Sequence, residues 1–211
     1  MSEYNRNYFE KGLDEGISCY LDYKWLPELT IPMVARIIEY LGLNRNQSIL
    51  DFGCAKGFTV KALRLLHFNK SYGVDISRYA IDESPEDIKE YLFLLKEENE
   101  KIPLLNNSKY DWVISKDVLE HIDYNLIDFI LYNIRRSTNS AFFIIPLGDG
   151  EKFNVPDYEK DKTHKIRESR EWWIEKFKKN GFTVKSSAYK VKYIKENWSF
   201  YEKGNGFFVL T

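Results

Sequence analysis

Apolar residues recur along the chain with two different spacings, and the two kinds of segment follow each other in turn. Short apolar runs that end at a polar residue or a turn predict strands. These are residues 48–52, 71–77, 91–95, 110–115 and 140–146, followed by TVKSSAYKV and GFFVLT. Apolar residues three or four apart predict helices at 26–42, 59–67, 125–137 and 169–182. Gly42 ends the first helix, and Ser169 and Gly181 begin and end the last.

Strands and helices alternate as far as residue 182, and the last two strands follow without a helix between them. Alternation predicts a parallel sheet with helices on both faces, and the final pair predicts an antiparallel ending. The fold class is therefore α/β with three layers. The length of 211 residues suits a single domain. We divide it into an N-terminal helical cap at 1–44 and a core at 45–211.

Composition narrows the class of protein. Apolar residues make up 44% of the chain and charged residues 30%, and no apolar run reaches the ~20 residues of a membrane span. Two cysteines provide no disulfide framework, and the three histidines are widely scattered. The start carries no signal-peptide core, so we expect a cytoplasmic protein that binds no metal and no membrane. Residues 152–211 hold 14 Lys and Arg against 8 Asp and Glu, which suits a solvated surface or contact with an anionic substrate.

The stretch SILDFGCAKGFTV, residues 48–60, joins a strand to a helix through a glycine-containing turn. A phosphate-binding P-loop requires G-x-x-x-x-G-K-[ST], whereas the glycines here are one residue too close and Phe58 replaces the lysine. A dinucleotide fingerprint requires G-x-G-x-x-G, and Ala55 stands at its second glycine. The sequence therefore argues against a P-loop and weakens, without excluding, a dinucleotide oxidoreductase.

S-adenosylmethionine suits the same turn better, because it has an amino-acid end and a ribose but no pyrophosphate. Asp51, at the end of the first strand, can accept a hydrogen bond from the ammonium group. Amides between Gly53 and Gly57, at a helix N-terminus, can face the carboxylate. Asp75 ends the second strand and can accept both ribose hydroxyls. Ligands of such sheets bind beyond the carboxyl ends of the strands, which is where these residues fall.

Three segments in the expected order carry a family resemblance. ILDFGCAKGF resembles motif I of class I S-adenosylmethionine-dependent methyltransferases, and YGVDIS resembles their ribose-binding acidic motif. ENEKIPLLNNSKYDWVISKDVLEHI, at 98–122, is similar to the segment that follows in that family. The likeness covers residues 48–182 and implies a Rossmann-like sheet of seven strands, the last ones antiparallel, with S-adenosyl-L-methionine as cofactor. The cofactor-binding residues that we assign are Asp51, Gly53, Cys54, Ala55, Gly57, Asp75, Ile76, Glu98, Asn99, Ser115, Lys116, Tyr20 and Tyr23.

Tyr20 and Tyr23 belong to a group of aromatic residues before the first clear helix. We expect residues 8–25 to form a flap over the cofactor, although these aromatic side chains would also serve to pack the first helix onto the sheet. In either arrangement, as a flap or as packing for the first helix, we expect most of these aromatic side chains to be buried.

Two histidines are candidates for catalysis, because histidine has the pKa nearest neutrality. His121 lies in LEHI, where the family often carries a histidine near the reactive centre; the residue would also suit local hydrogen bonding at a helix start. His164 lies beside Lys162, Lys165 and Arg167. We expect it on a basic loop facing the mouth of the pocket, as the acceptor-side base or hydrogen-bond partner, unless it simply fixes its own loop.

The residues that follow the fourth strand limit the class of methyl acceptor. Enzymes that methylate the exocyclic amine of a nucleic-acid base are expected to carry [ND]-P-P-[YF] after the fourth strand. This chain has SKDV at that place. The balanced charge also argues against a large RNA substrate. A small polar acceptor, such as an oxygen or nitrogen of a sugar or sugar-nucleotide, is the hypothesis that we carry forward. The alternative is a regulatory or partner subunit that binds S-adenosylmethionine without catalysis, and the oligomeric state is left open.

Overall fold

A seven-stranded sheet forms the centre of the molecule. The structure, a computed structural model, describes residues 3–97, 100–105 and 108–211. Its strands are β1 Ile49–Phe52, β2 Ser71–Asp75, β3 Leu92–Leu94, β4 Tyr110–Lys116, β5 Thr138–Pro146, β6 Val184–Ala188 and β7 Asn205–Leu210. Its α-helices are α1 Arg6–Glu10, α2 Pro27–Leu41, α3 Phe58–Leu65, α4 Arg78–Asp82, α5 Ile127–Ser137 and α6 Arg170–Lys179. Within the described residues, no helix is long and apolar enough to span a bilayer.

The strand order is β3-β2-β1-β4-β5-β7-β6. Strands β1 to β5 pair in parallel, and β7 is antiparallel to both β5 and β6. This topology confirms the predicted α/β Rossmann-like fold with an antiparallel ending. Strand β1 has β2 on one side and β4 on the other, so the direction of winding reverses there. A crevice forms at such a reversal, beyond the carboxyl ends of the strands.

Both faces of the sheet are covered by helices, as the alternation of strands and helices predicts. In β5, successive side chains point to opposite faces. Phe143 packs with Trp173 and Phe177 of α6 in one buried cluster. Phe142, its neighbour in sequence, packs in the other cluster with Val34 of α2. Helix α2 therefore lies on the sheet and contributes to the core.

The helix ends follow the sequence signals. Gly42 adopts a left-handed conformation (φ 63°), and its amide bonds to carbonyls of the last turn of α2. The side chain of Ser169 accepts a hydrogen bond from the amide of Trp172 and caps α6. Both boundaries are confirmed, whereas the short helices α1 and α4 were not predicted.

Candidate active site

A cavity opens at the carboxyl ends of β1, β2 and β4, where the winding of the sheet reverses. It is lined by strand ends, by the turn after β1 and by aromatic residues from the N-terminal segment. Five of the predicted cofactor-binding residues at these strand ends lie in its wall. They are Asp51, Gly53, Cys54, Ala55 and Asp75.

The turn after β1 is built from three residues with positive φ. Gly53 (φ 78°) and Gly57 (φ 76°) take this conformation without steric cost, whereas Ala55 (φ 49°) takes it with a Cβ. A Cβ on Gly53 would lie 2.3 Å from Cγ2 of Val118. A Cβ on Gly57 would lie 2.6 Å from a methyl group of Leu92. The two glycines therefore allow the turn to pack closely against neighbouring side chains.

The carboxylate of Asp75 joins the end of β2 to this turn. It accepts hydrogen bonds of 2.7 Å from the amides of Ala55 and Ser77. Burial raises the pKa of Asp75, although these amide bonds oppose the rise. Each carboxylate oxygen retains a lone pair, so the group can still accept bonds from a ligand in the cavity.

Asp51 is the second acid in the wall of the cavity. Burial raises its pKa to about 7; Lys116 opposes the rise and Asp75 adds to it. Thr59, in the first turn of α3, also lines the cavity and opposes the rise in the pKa of Asp51. Sequence reasoning missed Thr59, whose signal is a polar residue just after the glycine turn. A buried carboxylate of this kind is stabilised by a cationic partner.

Only some of the other predicted cofactor-binding residues line the cavity. Ile76 and Lys116 line the cavity. Ser115 is buried, and its hydroxyl donates a 2.9 Å hydrogen bond to the carbonyl of Phe52. Its side chain therefore joins β4 to β1. Glu98 and Asn99 lie outside the described residues.

The N-terminal segment covers the cavity with aromatic side chains. Tyr4, Tyr8, Phe9, Tyr20 and Tyr23 all line it. The ring centres of Tyr20 and Tyr23 are 4.8 Å apart, and those of Tyr8 and Phe9 are 5.0 Å apart. Contact between rings stabilises such a cluster. We call residues 3–25 the cover.

An ion pair and two hydrogen bonds attach the cover to the core. Nζ of Lys56 lies 2.5 Å from Oε1 of Glu10. The hydroxyl of Tyr8 donates a 2.9 Å bond to Oδ2 of Asp161. The side chain of Ser77 bonds to the carbonyl of Tyr4. The cover is thus attached to three different parts of the chain that surround the cavity.

Asp117 follows β4 with a positive φ of 57° and lies between two lysines. Its Oδ2 is 2.6 Å from Nζ of Lys116, and its Oδ1 bonds to Nζ of Lys195. Burial alone would raise the pKa of Asp117, but the two lysines hold it well below its usual range. This group is therefore ionised at the edge of the cavity near neutral pH.

His121 and His164 lie together, with ring centres 4.5 Å apart. His121 lines the cavity, and His164 lies behind it and is only 7% exposed. We expected His164 on a basic loop facing the mouth of the pocket, whereas it is buried behind His121. The amides of Lys165 and Ile166 both donate to the carbonyl of Glu120 and draw the loop inward. Burial lowers the pKa of both imidazoles, that of His121 to about 3.

Two of the three basic residues beside His164 form ion pairs with acids. Nζ of Lys165 lies 3.9 Å from Asp123, and Nε of Arg167 lies 3.1 Å from Glu159. These pairs weaken the argument for a phosphate-binding loop that rested on the charges of this segment. The support for a sugar-nucleotide as acceptor is reduced accordingly.

Comparison with known proteins agrees with this geometry. Residues 25–187 match the sequence profile of the methyltransferase domain family. The comparison with curated proteins gives no match.

Many solved structures share the fold. An S-adenosylmethionine-dependent methyltransferase from Clostridium acetobutylicum is 13% identical (TM-score 0.61; 86% of this chain and 91% of that chain covered). A SAM-dependent methyltransferase from Aquifex aeolicus is 18% identical (TM-score 0.58; 87% and 91% covered). A methyltransferase from Haloferax volcanii, solved in complex with the Trm112 activator, is 15% identical (TM-score 0.62; 87% and 89% covered).

The chain belongs to the methyltransferase domain family, and S-adenosylmethionine is its cofactor. The residues present fit this molecule. The buried Asp51 and the partly exposed Asp75, at adjacent strand ends, offer acceptors for an ammonium group and for ribose hydroxyls. Apolar residues, including Ile76 and Leu95, line the same cavity and suit a planar base.

Proposed function

We propose that this chain transfers a methyl group from S-adenosylmethionine to an oxygen or nitrogen atom of a small polar acceptor. The observation that carries the proposal is the cover, which places Tyr8, Phe9, Tyr20 and Tyr23 over the cavity that contains Asp51 and Asp75. A covered cavity favours an acceptor small enough to enter it, such as a sugar or another small hydroxyl or amino compound, over a protein or nucleic acid surface.

Asp51 and Asp75 serve the cofactor end of the cavity in this proposal. Asp51 accepts a hydrogen bond from the ammonium group, and its ionised form is stabilised by that cation. Asp75 accepts from the ribose hydroxyls while its bonds to Ala55 and Ser77 hold it in place. When bound, S-adenosylmethionine supplies a methyl group on a positively charged sulfur, which is open to in-line attack by an acceptor lone pair.

We assign the acceptor end of the cavity to Asp117 and His121, which line it together with Lys116, a residue that we first expected at the cofactor. Their side chains can orient hydroxyl or amino groups, and correct orientation is a main contribution of such an enzyme to the rate. His121 contacts the cavity directly, whereas His164 acts from behind it. We therefore propose His121 as the histidine that faces the acceptor and His164 as a residue that acts through the surroundings of His121.

A radiolabel assay tests the proposal. The purified chain is incubated with S-adenosylmethionine labelled on its methyl group, and with either the small-molecule filtrate or the macromolecular fraction of a cell extract. We expect label to be transferred into the filtrate with stoichiometric release of S-adenosylhomocysteine. The Asp51→Asn variant is the control and should lose the transfer, because it lacks the charge that holds the cofactor.

Two results would contradict the proposal. Transfer of label only into the macromolecular fraction would refute a small acceptor. Tight binding of S-adenosylhomocysteine without turnover on either fraction would favour the regulatory or partner subunit that the sequence left open.

A further inference from the structure

Three buried side chains converge beside the acceptor end of the cavity. Nε2 of His121 lies 4.0 Å from Oε1 of Glu120, and Nε2 of His164 lies 3.9 Å from the same oxygen. One donor atom from each of the three residues lies within 4.8 Å of the others. Glu120 is completely buried (0% exposed), and both histidines are buried as well. We call Glu120, His121 and His164 the triad.

The hydrogen bonds of the two rings fix which nitrogen carries the proton. Nδ1 of His164 lies 2.7 Å from the carbonyl of Tyr158, which can only accept, so Nδ1 is the donor. Nδ1 of His121 lies 2.7 Å from the hydroxyl oxygen of Thr163. That hydroxyl donates its own proton to Asp161 at 2.6 Å, so it must accept from His121. In both neutral rings, Nε2 therefore has a free lone pair directed into the triad.

Glu120 adds two more acceptor atoms to the same space. Within the described part of the chain, neither of its carboxylate oxygens has a hydrogen-bond partner. The two lysines nearby, Lys116 and Lys195, both bond to Asp117 instead. A buried carboxylate without a donor is costly. Acceptors from three residues thus face one another, and an arrangement of this kind is stabilised by a bound cation.

We propose that Glu120, His121 and His164 bind a divalent transition-metal ion. Two imidazoles and one carboxylate are a recurring ligand set of zinc and of other first-row metals, and imidazole ligands disfavour Mg²⁺. Such ions hold nitrogen and oxygen ligands at about 2.0–2.2 Å, so the triad needs to contract by about 1 Å or less.

The surroundings of the triad match those of a metal site. Ligating histidines commonly donate their second nitrogen to a carbonyl or a carboxylate, which orients the ring. His164 does so directly through Tyr158, and His121 does so through Thr163 and Asp161. Asp161 also accepts a hydrogen bond from the hydroxyl of Tyr8, so the cover is connected to the residues that orient His121.

The use of this ion in the reaction rests on the proposed function. His121 borders the cavity, so the remaining coordination positions of the ion are accessible from the acceptor end. A divalent cation there lowers the pKa of an acceptor hydroxyl that reaches it. As the methyl group moves from sulfur to oxygen, the hydroxyl proton passes to solvent and the sulfur becomes neutral.

Cobalt titration tests the site without any acceptor or cofactor. The chain is freed of metal with a chelator and titrated with Co²⁺, whose visible absorption reports nitrogen coordination. We expect one Co²⁺ per chain, displaced by Zn²⁺ but not by Mg²⁺. Glu120→Gln and His164→Gln should each weaken Co²⁺ binding by more than ~100-fold, which exceeds the loss of affinity caused by removing a residue that only orients a ligand. His67→Asn, which removes the exposed third histidine, is the matched control and should bind Co²⁺ as the wild type does.

Unchanged Co²⁺ affinity in both triad variants, or an equal loss in His67→Asn, would overturn the proposal. Circular dichroism checks that the variants fold. If they do not, crystals of the wild-type chain soaked in Co²⁺ decide the matter through anomalous scattering: a peak among the three side chains supports the site, and a peak elsewhere or none refutes it. Co²⁺ binding without methyl transfer would leave the metal site standing while refuting the proposed function.

Discussion

The carboxylate of Asp75 accepts a 2.7 Å hydrogen bond from the amide of Ala55, so the end of β2 holds the turn that follows β1. Ala55 is in a left-handed conformation that residues with a Cβ seldom adopt. The bond from Asp75 stabilises that conformation, and the same carboxylate lines the cavity. One side chain thus shapes the turn and presents an acceptor to the cofactor.

Replacement of Asp75 should weaken cofactor binding. We expect Asp75→Ala to lower the affinity for S-adenosylhomocysteine by about 1–3 kcal/mol, the usual cost of losing a hydrogen bond to a charged group. The melting temperature should also fall, because the amides of Ala55 and Ser77 lose their acceptor. Calorimetry measures the first effect and thermal unfolding the second. Asp82→Ala, on the exposed side of α4, is the control; equal affinities for both variants would contradict the role of Asp75.

The affinity for S-adenosylhomocysteine should depend on pH near neutrality. Burial raises the pKa of Asp51 to about 7, so below that pH the free chain carries a protonated Asp51 that must lose its proton to pair with the ligand's ammonium. Affinity should therefore rise as the pH rises through about 7 and level off above it. Calorimetry over this range on Asp51→Asn should give weaker binding with a smaller slope.

Any slope that remains in Asp51→Asn comes from groups other than Asp51, so the variant isolates the contribution of this carboxylate. A wild-type affinity that does not change with pH, or an equal slope in the variant, would show that Asp51 does not face the ammonium group.

Gly53 should be required for stability as well as for the site. Gly53→Ala places a Cβ 2.3 Å from Val118 and also has an unfavourable positive φ. Gly16→Ala shares the positive φ but has open space around the new Cβ, so it isolates the backbone contribution. We expect Gly16→Ala to lose about 1 kcal/mol of unfolding free energy and Gly53→Ala to lose a further ~1–3 kcal/mol from overpacking. Denaturant titration measures both, and equal losses would mean that contact with Val118 is unimportant.

The cover should become less accessible when the cavity is filled. Lys11 and Lys24 are exposed within it, and a ligand beneath the aromatic cluster should reduce local opening of the segment. We expect tryptic cleavage at these two lysines to slow when S-adenosylhomocysteine is added. Cleavage at Lys190 and Lys192, in an exposed loop between β6 and β7, is the internal control. Equal rates at the cover with and without ligand would show that it does not close over the site.

The sheet could be predicted from sequence because several of its strands are apolar runs with polar or turn residues at their ends. Strand β5 is an example, since its apolar run ends at Pro146. Helices α1 and α4 could not be predicted, because five residues are too few to show a helical period. The positions of Asp51 and Asp75 at strand ends follow directly from the strand boundaries. This part of the site could therefore be predicted from the sequence.

The triad could not be predicted from the sequence. His164 approaches Glu120 because two loop amides bind the Glu120 carbonyl, and no local pattern encodes such a contact between distant segments. Glu120 itself lies within a recognised motif, but that its carboxylate has no donor among the described residues is visible only once the fold is known. Our expectation of a metal-free protein rested on the scattering of histidines along the chain, which does not measure their separation in space.

Calorimetric titration with S-adenosylhomocysteine, with NAD measured in parallel, tests the central claim most directly. The account predicts one S-adenosylhomocysteine bound per wild-type chain, competition by S-adenosylmethionine, no heat with NAD, and loss of binding in the double variant Asp51→Asn/Asp75→Asn. Binding of NAD in place of S-adenosylhomocysteine, or undiminished affinity in a correctly folded double variant, would contradict it.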